Sequence, residues 1–145
     1  MTYRIGSGQG FYGDDVTRAL PMITGGHVDV VCFEALAELT LAILQKDRLK
    51  DPSRGYTFDL NIIAQKILPD AYKRKIPLIT NGGGLNPAGA AAKIRQIANS
   101  LDLHDLKIAA VSGDDAMPRL KDWLAEGVTL DHLETGVSFD PDAYP

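Results

Sequence analysis

A single cysteine, Cys32, is all that this chain of 145 residues contains, so no internal disulfide can form and the fold must rest on burial. Histidine is almost as scarce. His27, His104 and His132 are far apart, with no second His or Cys at metal-ligand spacing, and none is given a role. No apolar run approaches the roughly 20 residues that a membrane span requires, so no membrane is expected as a partner. The first residues, Met1 to Gly6, show no basic segment leading into an apolar stretch, and a cytoplasmic location is expected. Basic residues are also in the minority, 15 Lys and Arg against 19 Asp and Glu, for a net charge of −4. That balance gives no attraction toward nucleic acid, which is not expected as a partner either. The G-x-S-x-G elbow of the α/β-hydrolase nucleophile is absent, and Ser7 and Ser112 have no evident base.

What is present is ordinary for a globular protein: 45% hydrophobic residues, 23% charged, and enough length for one modest core. Short β-rich runs alternate with helical patterns. Thr2 to Ile5 is a predicted first strand, entering a loop from Gly6 to Gly13. A helix starts near Asp14 or Asp15 with Val16, Leu20 and Ile23 on one face, shortened or bent by Pro21 and ended by Gly25-Gly26. Val28 to Phe33 is almost continuously apolar, as a strand covered on both faces should be, and places Cys32 as a core thiol. A second helix is predicted from Ala35 to Gln45, with Leu36, Leu39 or Thr40, and Ile43 on its buried face. Asp51-Pro52-Ser53-Arg54-Gly55 signals a loop. A third helix starts near Asp59, buries Leu60, Ile63 and Ile67, and is bent or restarted at Pro69. Pro77 to Thr80 is strand three, and Asn86-Pro87 caps a helix running to about Leu101. Lys107 to Val111 is a predicted fourth strand, and Pro118 opens a helix containing Leu120, Trp123 and Leu124.

Strands separated by helices pair in parallel through right-handed crossovers. The expectation is a single α/β domain over residues 1–145: a parallel sheet with helices on both faces, doubly wound, in a Rossmann-like three-layer arrangement. A closed (β/α)8 barrel would need a longer chain.

In parallel sheets ligands collect beyond the carboxyl ends of the strands, and all four such ends here carry glycine or acid. Gly8, Gly10 and Gly13 satisfy G-x-G-x-x-G, and Glu34 follows Gly13 by 21 residues, which is a dinucleotide fingerprint in outline. Asp14 and Asp15 oppose that reading, because they put negative charge where a pyrophosphate would sit. Asn81, Gly82, Gly83, Gly84 and Asn86 form a loop whose amides and capped helix start suit a carboxylate, phosphate or developing oxyanion. Glu34 and Glu38, one helical turn apart, and Asp114 and Asp115 are the candidate proton-exchanging residues. One of the two aspartates is expected to cap the Pro118 helix. No particular cofactor and no metal follow from these residues.

Several strings, taken in order, resemble the acyclic terpene utilisation (AtuA-like) family. They are Arg4 to Gly8 with Gly13-Asp14, Phe33-Glu34-Ala35-Leu36-Ala37-Glu38, Thr80 to Pro87, and Ser112-Gly113-Asp114-Asp115, with Asp51-Pro52 through Gly55-Tyr56 between them. The resemblance covers about Arg4 to Asp115. It implies a role in the breakdown of branched acyclic terpenoids as coenzyme A thioesters. Because the family's members are several hundred residues long, the chain is expected to be the N-terminal part of a longer architecture, with a separately encoded subunit or a short divergent member as the alternatives.

Two readings follow. One is an enzyme, or a portion of one, acting on an acyl-CoA or carboxylate by hydration or elimination, with Glu34, Glu38, Asp114 or Asp115 exchanging the proton. The other is a noncatalytic nucleotide- or CoA-binding module within a larger assembly. Association as a homo-oligomer or with a partner chain is expected, through Trp123, Leu124 and the segment from Val128 to Leu133.

Overall fold

The computed structural model describes residues 2–140 and 143. They fall into two compact units, Met1–Val111 and Ser112–Pro145. The first unit is an α/β fold around a three-stranded parallel sheet in the order β1-β2-β3.

β1 (Ile5–Gln9) pairs with β2 (Val30–Phe33), which pairs with β3 (Leu78–Thr80). The register sets Gly6 opposite Val31 and Ser7 opposite Cys32; Val31 in turn faces Leu78, and Cys32 faces Ile79. Alternation then gives the sheet two different faces. Gly6, Gly8, Val31, Phe33 and Leu78 point into the main core, with Val31 and Phe33 fully buried. On the other face Ile5 is 67% exposed and Ile79 58% exposed. Val30, on that same face, is buried, so the exposure there is confined to the edge strands, and the parallel sheet with helices is the expected α/β fold. Cys32 lies on this second face, half-buried, and not in the core where the sequence placed it.

The packed face is covered by a 3-10 turn (Val16–Ala19), α1 (Leu20–Gly25), α3 (Asp59–Ile62), a π turn (Ile63–Ile67), α4 (Leu68–Arg74) and α5 (Pro87–Ser100). Their buried residues Val16, Ala19, Ile23, Leu60, Ile63, Ile67, Ala71 and Ala90 form one cluster with Val31 and Phe33. Burying a side chain the size of Phe33 or Ile67 contributes about 1.5–3 kcal/mol each, which makes this layer the main source of stability. A second cluster joins Ala64, Leu68, Ile97 and Ala98, with Leu103 and Leu106 packed against it. The π turn has a direct cause. Pro69 lacks an N–H and its ring crowds the preceding turn, so the helix widens just before it and Leu68 N–H reaches back five residues to Ile63.

Sequence and structure differ at four further places. The first strand runs Ile5–Gln9 and not Thr2–Ile5, so Gly6, Ser7 and Gly8 are strand residues. Glycine weakens a strand by propensity, yet here the large side chains of Val31 and Phe33 occupy the space beside it. The second helix, α2, runs Glu38–Lys50 and buries Thr40 and Leu44, while Leu39 is 73% exposed. Thr40 is one of the two alternatives expected there, while Leu44 is buried in place of Ile43. Lys107 to Val111 forms no strand and pairs with none of the three, and Val111 is 88% exposed. Glu34 and Glu38 do not share a helix, because Glu34 precedes α2 and Glu38 is its first residue.

The second unit holds α6 (Met117–Ala125) and an antiparallel bridge between Asp131 and Ser138. Arg119 lies over the Trp123 ring at 5.9 Å. The N-cap of α6 is Ala116, without a side-chain capping bond, so neither aspartate caps the helix as expected; Asp115 accepts from the Met117 N–H at 3.1 Å, and both aspartates are exposed. Among the described residues no helix is long and apolar enough to cross a membrane.

Candidate functional site

The carboxyl ends of the three strands bring together residues that are distant in sequence. β2 ends at Phe33, and the next residue, Glu34, donates its N–H to the Gln9 carbonyl at 3.3 Å. β3 ends at Thr80, and the next residue, Asn81, donates through Nδ2 to Glu34 Oε1 at 2.6 Å. Asn81 Oδ1 accepts from the Ala35 N–H at 2.8 Å, so its amide bridges the backbone and side chain of the neighbouring strand end. The same Glu34 oxygen also accepts from the Leu36 N–H at 2.9 Å.

The Asn81 amide, followed by the Leu36 N–H, holds the Glu34 carboxyl below the usual glutamate range. Glu34 remains exposed, so an ionised carboxylate is fixed in orientation yet open to solvent. One consequence is measurable. Asn81→Ala should raise the Glu34 pKa toward its ordinary value in a carboxyl carbon-13 titration. A depressed folded pKa stabilises above the unfolded value, and that contribution is lost as pH falls through the folded one. The variant should therefore show a shallower loss of stability on acidification below the ordinary glutamate pKa. An unchanged titration would remove Asn81 from this role.

The two glycine loops are arranged differently from each other. At Gly8 a Cβ would lie 2.6 Å from Phe33 Cε1 and 2.9 Å from Val31 Cγ1, so this glycine makes room for the core. Gly10 N–H donates to Asp14 Oδ2 at 3.1 Å, and Gly13 N–H donates to Asp59 Oδ2 at 2.9 Å. The loop amides that would cradle a phosphate are thus taken by the chain's own carboxylates. Asp59 is buried and also accepts from Gln9 Nε2 at 2.6 Å. Gln9 Nε2 donates to the Phe11 carbonyl as well, whereas the buried Gln9 Oε1 has no hydrogen-bond partner. Asp59 and Gln9 carry no motif in the sequence. Only the fold brings an acid and an amide 50 positions apart into contact.

In the second loop Gly82 lies under Thr57 Oγ1, which a Cβ would approach to 2.6 Å. Gly84 has φ +50, and a Cβ there would overlap Leu44 and lie 2.9 Å from the Gly55 carbonyl. These two glycines are set by packing and by a left-handed backbone. Gly83 is the member whose N–H has no hydrogen-bond partner among the described residues. Asn86 caps α5 by accepting from the Gly89 N–H at 2.9 Å, and its Nδ2 donates to the Ser53 and Arg54 carbonyls. That ties the Asp51–Gly55 loop to the start of α5. Glu38 is exposed in the first turn of α2, where its charge favours the helix dipole.

Of the residues singled out from sequence, Glu34 and Asn81 are brought into direct contact. Gly10 follows Gln9, whose carbonyl accepts from the Glu34 N–H, whereas Gly13 is bonded to Asp59, and Asp114 and Asp115 lie in the second unit. Among the described residues, no three His, Cys, Asp or Glu side chains gather as a metal site would need. A cleft of about 440 Å³, lined by Tyr12, Asp47, Arg54, Tyr56, Phe58 and Lys93 among others, was not anticipated at all.

Comparison with known proteins gives one match. The family model described as acyclic terpene utilisation family protein AtuA matches residues 3–143. No curated protein and no solved structure matches.

Proposed function

The chain belongs to the acyclic terpene utilisation family, and from that membership we propose an enzyme, or a portion of one, of branched acyl-CoA breakdown. The proposed reaction class is hydration or elimination at a carbon next to a thioester or carboxylate carbonyl. The observation that carries this reading is the 2.6 Å bond from Asn81 to an exposed Glu34 at the carboxyl ends of adjacent parallel strands.

A carboxylate kept ionised at neutral pH can accept a proton without first losing one. Its lowered pKa makes it a modest base, suited to protons already acidified by a neighbouring thioester. Glu34 takes the proton from the carbon, and the C–H electron pair moves toward the carbonyl oxygen. In elimination that pair then returns and expels a β-hydroxyl, which leaves as water on receiving the proton that Glu34 has taken, so the carboxylate is regenerated; hydration is the reverse. The unpartnered Gly83 N–H is the backbone donor available in the loop after β3 for the oxygen on which charge develops.

The test is solvent exchange. Incubated in D2O with a branched, unsaturated acyl-CoA thioester, the chain should place deuterium on the carbon next to the carbonyl or change the ligand mass by one water. Glu34→Gln should slow this by roughly 10²–10⁴-fold. A thioester that binds by titration yet shows neither change in the wild-type chain would defeat the proposal.

A further inference from the structure

The 440 Å³ cleft shares no residue with the Glu34–Asn81 pair, and its size falls within the range of small-molecule pockets. Its lining is chemically mixed in an informative way. Three aromatic rings meet there. Phe58 is 65% exposed, an unusual position for a large apolar ring at the start of α3. Tyr12 is held in place because its hydroxyl accepts from the Phe58 N–H at 3.4 Å, and Tyr56 is anchored by packing on the main core. The rings are therefore positioned by backbone and core before any ligand arrives.

The charges of the cleft are only partly paired. Lys93 hydrogen-bonds the Gln96 side-chain oxygen at 3.2 Å and has no carboxylate partner among the described residues. Arg54 touches Asp51 through Nε at 3.6 Å, an exposed contact that leaves its terminal nitrogens free, while its backbone carbonyl is held by Asn86. Asp47 lines the same cleft, and its carboxylate makes no ion pair with either cation. Two cations, one acid and three aromatic rings thus line one cleft.

We propose that this cleft binds a nucleoside phosphate: Tyr12, Tyr56 and Phe58 take the base, Arg54 and Lys93 the phosphate, and Asp47 the ribose hydroxyls. Each element matches a different part of the ligand. Aromatic faces stack on a planar base, guanidinium and ammonium groups bind phosphate oxygens, and a carboxylate accepts from a vicinal diol. The site differs from the glycine fingerprint of the β1 loop, whose amides are already bonded to Asp14 and Asp59. It also stands independently of the chemistry at Glu34.

Calorimetric titration of the full chain with AMP, adenosine and inorganic phosphate tests the proposal. AMP should bind saturably, and at least roughly tenfold more tightly than adenosine or phosphate alone, because only AMP engages all three elements. Lys93→Ala and Phe58→Ala should each weaken AMP by about fivefold or more, since each removes one phosphate or stacking contact. Both side chains reach solvent, and circular dichroism of each variant establishes that the fold is kept. Glu34→Gln should bind AMP as the wild type does, so loss of the hydratase reading and loss of this site are told apart. Undetectable AMP binding at millimolar concentration, equal affinity for phosphate alone, or AMP binding indifferent to Lys93→Ala and Phe58→Ala would each overturn the proposal.

Discussion

Phe33→Ala is expected to destabilise the first unit by about 3–5 kcal/mol, the loss typical of a fully buried phenyl ring in a core that closes only partly around the cavity. The ring lies directly over Gly8, and an added Cβ at Gly8 would come within 2.6 Å of it. Gly8→Ala should therefore cost about 1–3 kcal/mol through overpacking. The informative experiment combines the two. In the Phe33→Ala background, alanine at position 8 meets space where the ring had been, and most of its penalty should vanish. Urea unfolding of the four proteins should give a coupling of roughly 1 kcal/mol or more. Additive costs would mean that Gly8 is not a packing glycine, and the reading of β1 as a core strand would have to be given up.

Asp59→Ala is the second large effect expected, on the order of 3 kcal/mol. The carboxylate is buried and accepts from Gln9 Nε2 and from the Gly13 N–H, so its removal leaves two donors without their acceptor. Asp59→Asn should cost less, because both donors meet the same oxygen, Oδ2, and the asparagine amide oxygen can take its place. Hydrogen exchange gives a local readout beside global stability. The Gly13 amide, bonded to a side chain 46 positions away, should lose protection in Asp59→Ala. A variant within about 0.5 kcal/mol of wild type with unchanged Gly13 exchange would show that this carboxylate does not organise the loop.

Much of the first unit could be read from the order of residues, for identifiable reasons. The Val30–Phe33 run, the helix start at Asp59 and the Asn86-Pro87 cap are local signals, and each produced its element close to the expected place. What was not legible depends on partners. Gly6-Ser7-Gly8 reads as a turn until Val31 and Phe33 are seen beside it. Residues 107–111 read as a strand until no neighbour is found to pair them. On α2 Leu44 is buried in place of Ile43 because it is drawn against the Gly84 turn, a contact that periodicity cannot disclose. The site divides in the same way. Glu34 and Asn81 each follow a strand, and the carboxyl-end rule unites them. The Gln9–Asp59 contact and the aromatic cleft depend on loops whose approach no spacing encodes.

The widened turn at Ile63–Ile67 constrains how the length of this chain can vary in evolution. Removing one residue between Ile62 and Pro69 would let ordinary helical hydrogen bonds run further, a local gain. Leu68, whose N–H now reaches Ile63 five residues back, would meet the same carbonyl from four residues on, as in an ordinary helix, so the segment from Leu68 onward would keep its place. Ala71 would stay in the main core and Leu78 beside Val31. One residue removed within β3 itself would instead exchange that strand's two faces and carry Asn81 away from Glu34. The wide turn is thus the place where this chain can lose a residue without disturbing the third strand.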